Sequence, residues 1–401
     1  MKLAISGDWH IDKDNRLEDM STTLKHLAEG VIKEKPNHFI FLGDAYKNFR
    51  PTPIEMYYFH KTILDIMNAN IDVIILAGNH DIPESDEYQG KHCFTELQSL
   101  MKGKIRVIDK PEILDMEKII DDNKGFRTWG LFIPHIPKLQ IKESYAETFN
   151  DILKYHLVGI DQKKDKVVLF SHVFISESII GSGDIVINNN RSVSISIVKN
   201  SRIQIGFFSD IHKAQKIEPN YYYCGSIERI DFGERNDDKG FIIYDSDKDK
   251  VEFVNLNSRQ MEEVIIDLIN PGFIKTGTQD NVDTPKEVIT DPYGYIMNVF
   301  KEKEKQLKDS IVKIKIVCTK EQKSKVDVRE NDIVRILLDE ILINKLKSLS
   351  YEIVDSQSVR NADINESLSP RLAFQKWVDI QDYKDEVKQH ITLAGENIIK
   401  G

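Results

Sequence analysis

Five short apolar runs each end in a residue type that binds metal, and no other feature limits what this chain can fold into so strongly. They are Leu3 to Ser6 before Asp8 and His10, Phe39 to Leu42 before Asp44, Val73 to Ala77 before Asn79 and His80, Val167 to Phe170 before His172, and Ile203 to Phe208 before Asp210 and His212. Short runs rich in β-branched and aromatic residues read as buried strands. In an open α/β sheet a ligand sits beyond the carboxyl ends of the strands, so the donors are expected to converge on one edge of one sheet. Gathered there they would suit two divalent ions, which at about 3.5–4 Å apart clamp a phosphate and lower the pKa of water from about 15.7 to roughly 7. A single Asp or His after a strand is an ordinary turn or capping residue. Five such runs together, with Gly43-Asp44 and Gly78-Asn79-His80-Asp81 among them, carry the metal reading.

At 401 residues the chain exceeds the size at which one core keeps growing, so two or three domains are expected. Its 40% hydrophobic and 30% charged residues suit a soluble globular protein, and no apolar run approaches the ~18 residues that span a bilayer. The amino terminus enters a strand without the apolar core of a secretory signal, and Cys93, Cys224 and Cys318 form no Cys-x-x-Cys pair. A cytoplasmic protein without a membrane partner is the expectation. The formal charge of −10 argues against a nonspecific nucleic-acid coat protein, whose affinity comes from Lys and Arg. It leaves nucleic acid open as a substrate, because bound cations and local basic loops attract phosphate by themselves.

To about Leu256, strands alternate with helical stretches at Thr22 to Lys35, Pro53 to Ala69 and Tyr145 to Leu157, which means α/β layers. Val193, Ile195 and Ile197 read as an alternating strand after a polar excursion, and Tyr221-Tyr222-Tyr223 as the end of another. A small βαβαβ unit follows: strand Glu263 to Leu268, helix Tyr293 to Lys308, strand Val312 to Cys318, helix Asn331 to Leu349 and strand Tyr351 to Val354. After the polar stretch Asp355 to Ser367 come two helical segments, Arg371 to Val378 and Tyr383 to Ile399. Leu372, Phe374, Trp377 and Val378 form an apolar face that so short a helix cannot bury alone.

Asp8-x-His10, Gly43-Asp44, Gly78-Asn79-His80-Asp81, the lone His172, and Asp210-x-His212 followed by Lys213 resemble the phosphodiesterase motifs of calcineurin-like metallophosphoesterases. Arg50-Pro51-Thr52-Pro53 and the stretch Gly225-Ser226-Ile227-Glu228-Arg229-Ile230-Asp231-Phe232-Gly233-Glu234 are similar to those of SbcD-type nuclease subunits, bacterial relatives of the meiotic recombination eleven family. These motifs span residues 8 to 234; the later regions match in layout only. The resemblance implies an α/β fold: a metallophosphoesterase β-sandwich flanked by helices over 1–258, a small α/β capping domain over 259–355, and a linker with C-terminal partner-binding helices over 356–401.

Carried over by position, Asp8, His10 and His212 would hold one metal, Asn79, His172 and Asp210 the other, and Asp44 would bridge them. Two manganese ions are implied, with magnesium the weaker candidate; carboxylate, imidazole and amide oxygen suit manganese, and no thiolate is present to select zinc or copper. His80 would carry no metal, and an imidazole beside the phosphate can stabilise developing charge or protonate the departing 3′ oxygen. Asp81 would orient it or cap the Pro83 to Tyr88 segment. Relatives usually carry His at position 210, so Asp210 implies a second metal of weaker Lewis acidity. They tend to place His or Asp at position 47, where Lys47 would act on His80 or bind phosphate. Lys13, Arg16, Lys47, Arg50, Arg191 and Lys213 are candidate DNA-backbone contacts.

By resemblance the chain would be the manganese-dependent nuclease subunit of an SbcCD-like DNA repair and recombination complex. It would act 3′-to-5′ on duplex ends and endonucleolytically on single strands. It would also form a homodimer through helices near Pro53 to Ala69 and Phe94 to Lys102, and bind an SbcC-type ABC ATPase through residues 369 to 399. Its setting would be a bacterial cytoplasm, whether the protein is bacterial or viral. The same donors would serve a phosphomonoesterase or small-molecule phosphodiesterase, since fold does not settle substrate. A scaffold that tethers DNA ends is a third reading.

Overall fold

The computed structural model describes residues 1–83, 91–101, 105–117, 127–161, 163–179, 191–270 and 289–354, with single positions between 374 and 392. The chain divides into two compact units, Met1–Met261 and Glu262–Gly401. The first contains β1 (Lys2–Ser6), β2 (His38–Phe41), β3 (Asp72–Leu76), β4 (Ile105–Ile108), β5 (Glu112–Asp115), β6 (Thr128–Ile133) and β7 (Lys166–His172). It continues with β8 (Phe174–Ile175), β9 (Ser192–Val193), β10 (Ile205–Ser209), β11 (Gln215–Glu218), β12 (Tyr221–Tyr223), β13 (Gly240–Asp245) and β14 (Lys250–Asn255). Its helices are α1 (Leu17–Glu34), α2 (Pro53–Asn68), α3 (Thr95–Leu100), α4 (Tyr145–His156) and α5 (Ile195–Asn200).

Among the described residues of this unit the strands form two six-stranded sheets, ordered β14-β13-β1-β2-β3-β4 and β11-β12-β10-β7-β6-β5, with β8 and β9 paired apart. The five apolar runs therefore do not share one sheet, as their sequence suggests. Those of β1, β2 and β3 lie in the first sheet, and those of β7 and β10 in the second. The cause is double-sided burial, which gives strands of either sheet the same continuous apolar spelling. Leu3, Ile5, Ile40 and Leu42 pack between the sheets with Phe132, Val168, Phe170 and Phe207. Ala4, Phe39 and Phe41 face the opposite way and join Leu24, Leu27 and Val31 of α1 and Phe59 and Ile63 of α2. Across the second sheet, Leu131, Val167 and Leu169 pack with Phe149 and Leu153 of α4 and Val198 of α5. The layers are α/β/β/α.

β1, β2, β3 and β4 run parallel to one another, as do β6, β7, β10 and β12. Their carboxyl ends thus collect on one side of each sheet. Beyond β1 and β2 the two chains stay bonded: Asp8 N–H donates to the Gly43 carbonyl at 2.9 Å, His10 to Asp44 at 3.0 Å and Ile11 to Ala45 at 3.0 Å.

Helix α1 starts at Leu17 rather than near Thr22, with Glu18 and Asp19 in its first turn, where acidic residues favour the helix dipole. The strand expected across Val193, Ile195 and Ile197 ends at Val193. Ser194 caps α5, and the Glu177 carboxylate accepts both its hydroxyl at 2.6 Å and the Ile195 N–H at 3.0 Å. No helix among the described residues is long and apolar enough to cross a membrane.

In the second unit, β15 (Met261–Asp267), β16 (Ile311–Cys318) and β17 (Lys345–Ile353) form a three-stranded sheet in that order. The helix read across Tyr293 to Lys308 breaks at Lys303 into Pro292–Glu302 and Glu304–Leu307. The helix read over Asn331 to Leu349 is also corrected: helical turns end at Glu340 and β17 begins at Lys345. Val312 pairs with Leu346 but Lys313 pairs with Ser348, so Lys347 bulges out. That extra residue puts Leu346 and Leu349, three apart, on one face and imitates helical spacing. The expected helices at Arg371 to Val378 and Tyr383 to Ile399 fall largely outside the described residues, as does Leu372. Within them the Phe374 and Trp377 rings stack at 6.2 Å.

Candidate metal centre

The donors named from the sequence come from loops that begin where strands stop. Asp8 and His10 follow β1, Asp44 follows β2, Asn79 and His80 follow β3, His172 ends β7, and Asp210 and His212 follow β10. Three sets of ligand atoms lie within 4.8 Å of one another: Asp8, His10 and His212; His10, Asp44 and His80; and Asp8, Asp44 and His172. Asp8, Asp44 and His172 are almost wholly buried. Asp44 stands between the sets, its Oδ2 3.5 Å from His10 Nε2 and its Oδ1 3.6 Å from His172 Nε2. Asn79 Oδ1 lies 2.7 Å from His172 Nε2, and Asp210 Oδ1 3.7 Å from the same nitrogen. The Asp210 N–H donates to both Asp8 carboxylate oxygens, at 3.2 and 3.1 Å.

The loops are held in costly conformations. Asp8, His10, Asp44 and Asp210 all have left-handed backbone, with φ of 50°, 45°, 58° and 101°. Non-glycine residues visit that region rarely and at a cost that recurs at functional sites. Gly43, at φ +100°, has no alternative: a Cβ there would lie 2.6 Å from Gly78 N and 2.8 Å from His172 Nδ1. Gly43→Ala is therefore expected to cost about 2–4 kcal/mol, left-handed strain and overpacking together. Urea unfolding that shows a loss under about 0.5 kcal/mol would contradict this tight crossing.

Each imidazole is oriented through its second nitrogen, except one. His172 Nδ1 bonds the Leu42 carbonyl at 2.8 Å, His80 Nδ1 the Lys47 carbonyl at 2.7 Å, and His212 Nδ1 the Glu234 carboxylate at 2.8 Å. His10 Nδ1 is buried without a hydrogen-bond partner. With Nδ1 engaged, each of the three bonded rings turns its Nε2 towards the other candidate donors. His212 Nε2 lies 3.1 Å from His10 Nε2.

Burial raises the Asp44 carboxyl well above the usual carboxylate range; the neighbouring Asp81 and Asp8 add to that rise, and His172 offsets part of it. Burial opposes charge on His172, yet Asp44, Asp210 and Asp8 outweigh it and hold the imidazole up at about 9. Burial and the surrounding rings of His212, His80 and His172 keep His10 far below its ordinary value, so its lone pair is available. Imidazole nitrogens facing crowded carboxylates form an arrangement that suits a divalent cation, whose binding would displace the His172 proton. Nitrogen and oxygen donors without thiolate fit a borderline divalent ion.

Asp81 makes no described hydrogen bond to the His80 ring, and the segment Pro83 to Tyr88 that it is expected to cap lies, beyond Pro83, outside the described residues. Fully buried, Asp81 accepts the N–H groups of Asp44 at 2.7 Å, Gly78 at 2.8 Å and Ala45 at 3.1 Å, joining the loops after β2 and β3. Lys47 orients His80 through its backbone carbonyl, while its side chain is exposed. Arg16 is committed within the fold: Nε to Asp19 at 2.9 Å, Nη2 to Glu228 at 3.3 Å and Nη1 to the Arg229 carbonyl at 2.7 Å. Lys13 pairs with Asp14, Arg50 lies over the Phe49 ring, and Lys213 reaches Asp237 at 3.7 Å. Arg191 borders residues 180–190, which lie outside the described residues.

Sequence reasoning assigned no role to Glu234 or Lys239, although Glu234 closes the stretch from Gly225 that carries part of the resemblance. Lys239 Nζ, wholly buried, reaches Glu234 Oε2 at 2.6 Å, Ser226 Oγ at 2.8 Å and the His212 carbonyl at 3.0 Å. Burial would raise the Glu234 carboxyl, but the His212 bond and the Lys239 ammonium outweigh it and hold it at about 2.

Residues 1–214 match the model of a family described as calcineurin-like phosphoesterase. Curated relatives include two proteins named as the SbcD component of the nuclease SbcCD. That of Staphylococcus epidermidis is 24% identical over 274 residues, covering 66% of this chain and 72% of that protein. That of Staphylococcus saprophyticus is 25% identical over 283 residues, covering 66% and 71%. Among solved structures, a dimetal phosphatase from Danio rerio has a TM-score of 0.38 at 10% identity, covering 61% of this chain and 91% of that one. A putative 5′-nucleotidase from Staphylococcus aureus has a TM-score of 0.38 at 11% identity, covering 63% and 52%.

Proposed function

The chain belongs to the calcineurin-like phosphoesterase family, and from that premise we propose that it is a two-metal DNA nuclease of SbcD type. The observation that carries the proposal is the gathering of Asp8, Asp44, His172 and His212 from two sheets around shared points. Relatives named as SbcCD components favour DNA over another phosphoester. Asp8, His10 and His212 would hold one ion and Asn79, His172 and Asp210 the other, with Asp44 serving both. When bound, two manganese ions would supply Lewis acidity to the phosphate and lower the pKa of the attacking water.

The residues around them divide the remaining work. His80 keeps its Nδ1 proton on the Lys47 carbonyl and turns Nε2 inward, 3.9 Å from Asp44 Oδ2. In its protonated form it would hand a proton to the departing 3′ oxygen. Lys13, Lys47, Arg50, Arg191 and Lys213 would neutralise DNA phosphates; Arg16 is left out, since its guanidinium is already bonded. The wider proposal comprises a capping role for residues 259–355, a homodimer, and docking of residues 369–399 on an SbcC-type ATPase.

His80→Ala is expected to slow cleavage of a labelled duplex by roughly 10²–10⁴-fold, the usual span for one proton-transfer group. Manganese content should be unchanged. Full activity in that variant would remove His80 from the mechanism. Hydrolysis of p-nitrophenyl phosphate with no cleavage of DNA, in manganese and with the ATPase partner present, would favour a phosphomonoesterase instead.

A further inference from the structure

We infer that Glu234, clamped by Lys239, is a positioning residue that sets the affinity of one ion of the pair, the one held by Asp8, His10 and His212. The inference rests on the metal-centre reading above and adds to it a selective control. Among the described residues, His212 is the only imidazole of the centre whose far nitrogen is bonded to a carboxylate, at 2.8 Å; His172 and His80 are held by backbone carbonyls, and His10 Nδ1 by nothing. A carboxylate behind a ligating imidazole fixes its tautomer and raises its basicity, and losing such a partner typically weakens metal binding by 10–100-fold.

Lys239 explains why the carboxylate stays where it is. Its ammonium, fully buried, holds Glu234 Oε2 at 2.6 Å and the His212 backbone carbonyl at 3.0 Å, so one cation fixes both the carboxylate and the chain that carries its imidazole. The Ile230 N–H adds a bond to the same oxygen at 3.1 Å, leaving Oε1 for His212. Among the described residues, the clamp's hydrogen bonds go to His212, Ser226 and Ile230, and none to Asn79 or His172. The effect should therefore fall on one ion.

Manganese titration of the full chain by calorimetry tests this in Glu234→Gln, which is isosteric. One of two ions should bind 10–100-fold more weakly while the other stays within about twofold. Adding Asn79→Ala to Glu234→Gln should weaken both ions, whereas adding His10→Ala should leave the second ion as tight as in Glu234→Gln alone. Two ions bound as tightly as in the parent, or both weakened equally, would overturn the inference. A parent chain that binds no pair of ions would remove the metal-centre reading itself. Nitrogen NMR of the parent gives a readout that does not depend on any variant folding. His212 should carry its proton on Nδ1, and an Nε2–H tautomer would overturn the inference.

Discussion

Asp44→Asn is expected to abolish the proposed nuclease activity, by on the order of 10³-fold or more, and to weaken binding of added manganese at both positions of the proposed pair together. A thousandfold loss corresponds to about 4 kcal/mol of transition-state stabilisation. The expectation follows from where the carboxylate stands. Its two oxygens face different sides of the centre, Oδ2 towards His10 and Oδ1 towards His172, at 3.5 and 3.6 Å. It belongs to two of the three donor sets, and Oδ1 also accepts the His80 N–H at 2.9 Å. Asparagine keeps the shape but removes the charge and turns one acceptor into a donor. Calorimetry and a duplex-cleavage assay on the same preparation check both parts. A variant that retained one ion at parent affinity would show that Asp44 serves a single metal.

The largest effect on stability is expected at Asp81, where replacement by alanine should cost about 3–5 kcal/mol. Three buried backbone N–H groups, those of Asp44, Ala45 and Gly78, would lose their acceptor at once. Each unsatisfied group costs about 1–3 kcal/mol, and partial relaxation keeps the sum below the full total. Asp81→Asn should lose less, because one oxygen remains to take the Asp44 and Gly78 amides while the new amide group opposes the Ala45 N–H. Urea denaturation of the two variants beside the parent measures both figures. A loss under about 1 kcal/mol for alanine, the lower bound for a single orphaned amide, would mean that the loops after β2 and β3 hold their conformation without this side chain.

The candidate donors stood out in the sequence because each follows the end of an apolar run, and a strand end fixes position more narrowly than any loop can. The distribution of those runs over two sheets was not legible. Ala4 between Leu3 and Ile5 is as apolar as its neighbours, so nothing in the spelling says which face meets helix and which meets sheet. Glu234 bonds a residue 22 positions earlier from the end of a single 3-10 turn, Phe232–Glu234, and no periodicity leads to it. Asp81 was visible within Gly78-Asn79-His80-Asp81, but its work is done on amides 36 and 37 residues away, which only the fold brings near. The bulge at Lys347 shows the reverse error, where one extra residue in a strand produced a spacing that belongs to helices.

The return of β13 to the first sheet ties the start of the chain to residues beyond position 239. β1, the strand that leads into Asp8, has β2 on one side and β13 on the other. That second neighbour is synthesised only after every donor, at Gly240–Asp245, and is flanked in turn by β14 ending at Asn255. A chain still emerging from the ribosome, or clipped soon after His212, would possess all seven candidate donors yet lack the strand that flanks the first of them. Such a chain would leave β1 as an open sheet edge, its β13 partner residues Gly240–Asp245 missing.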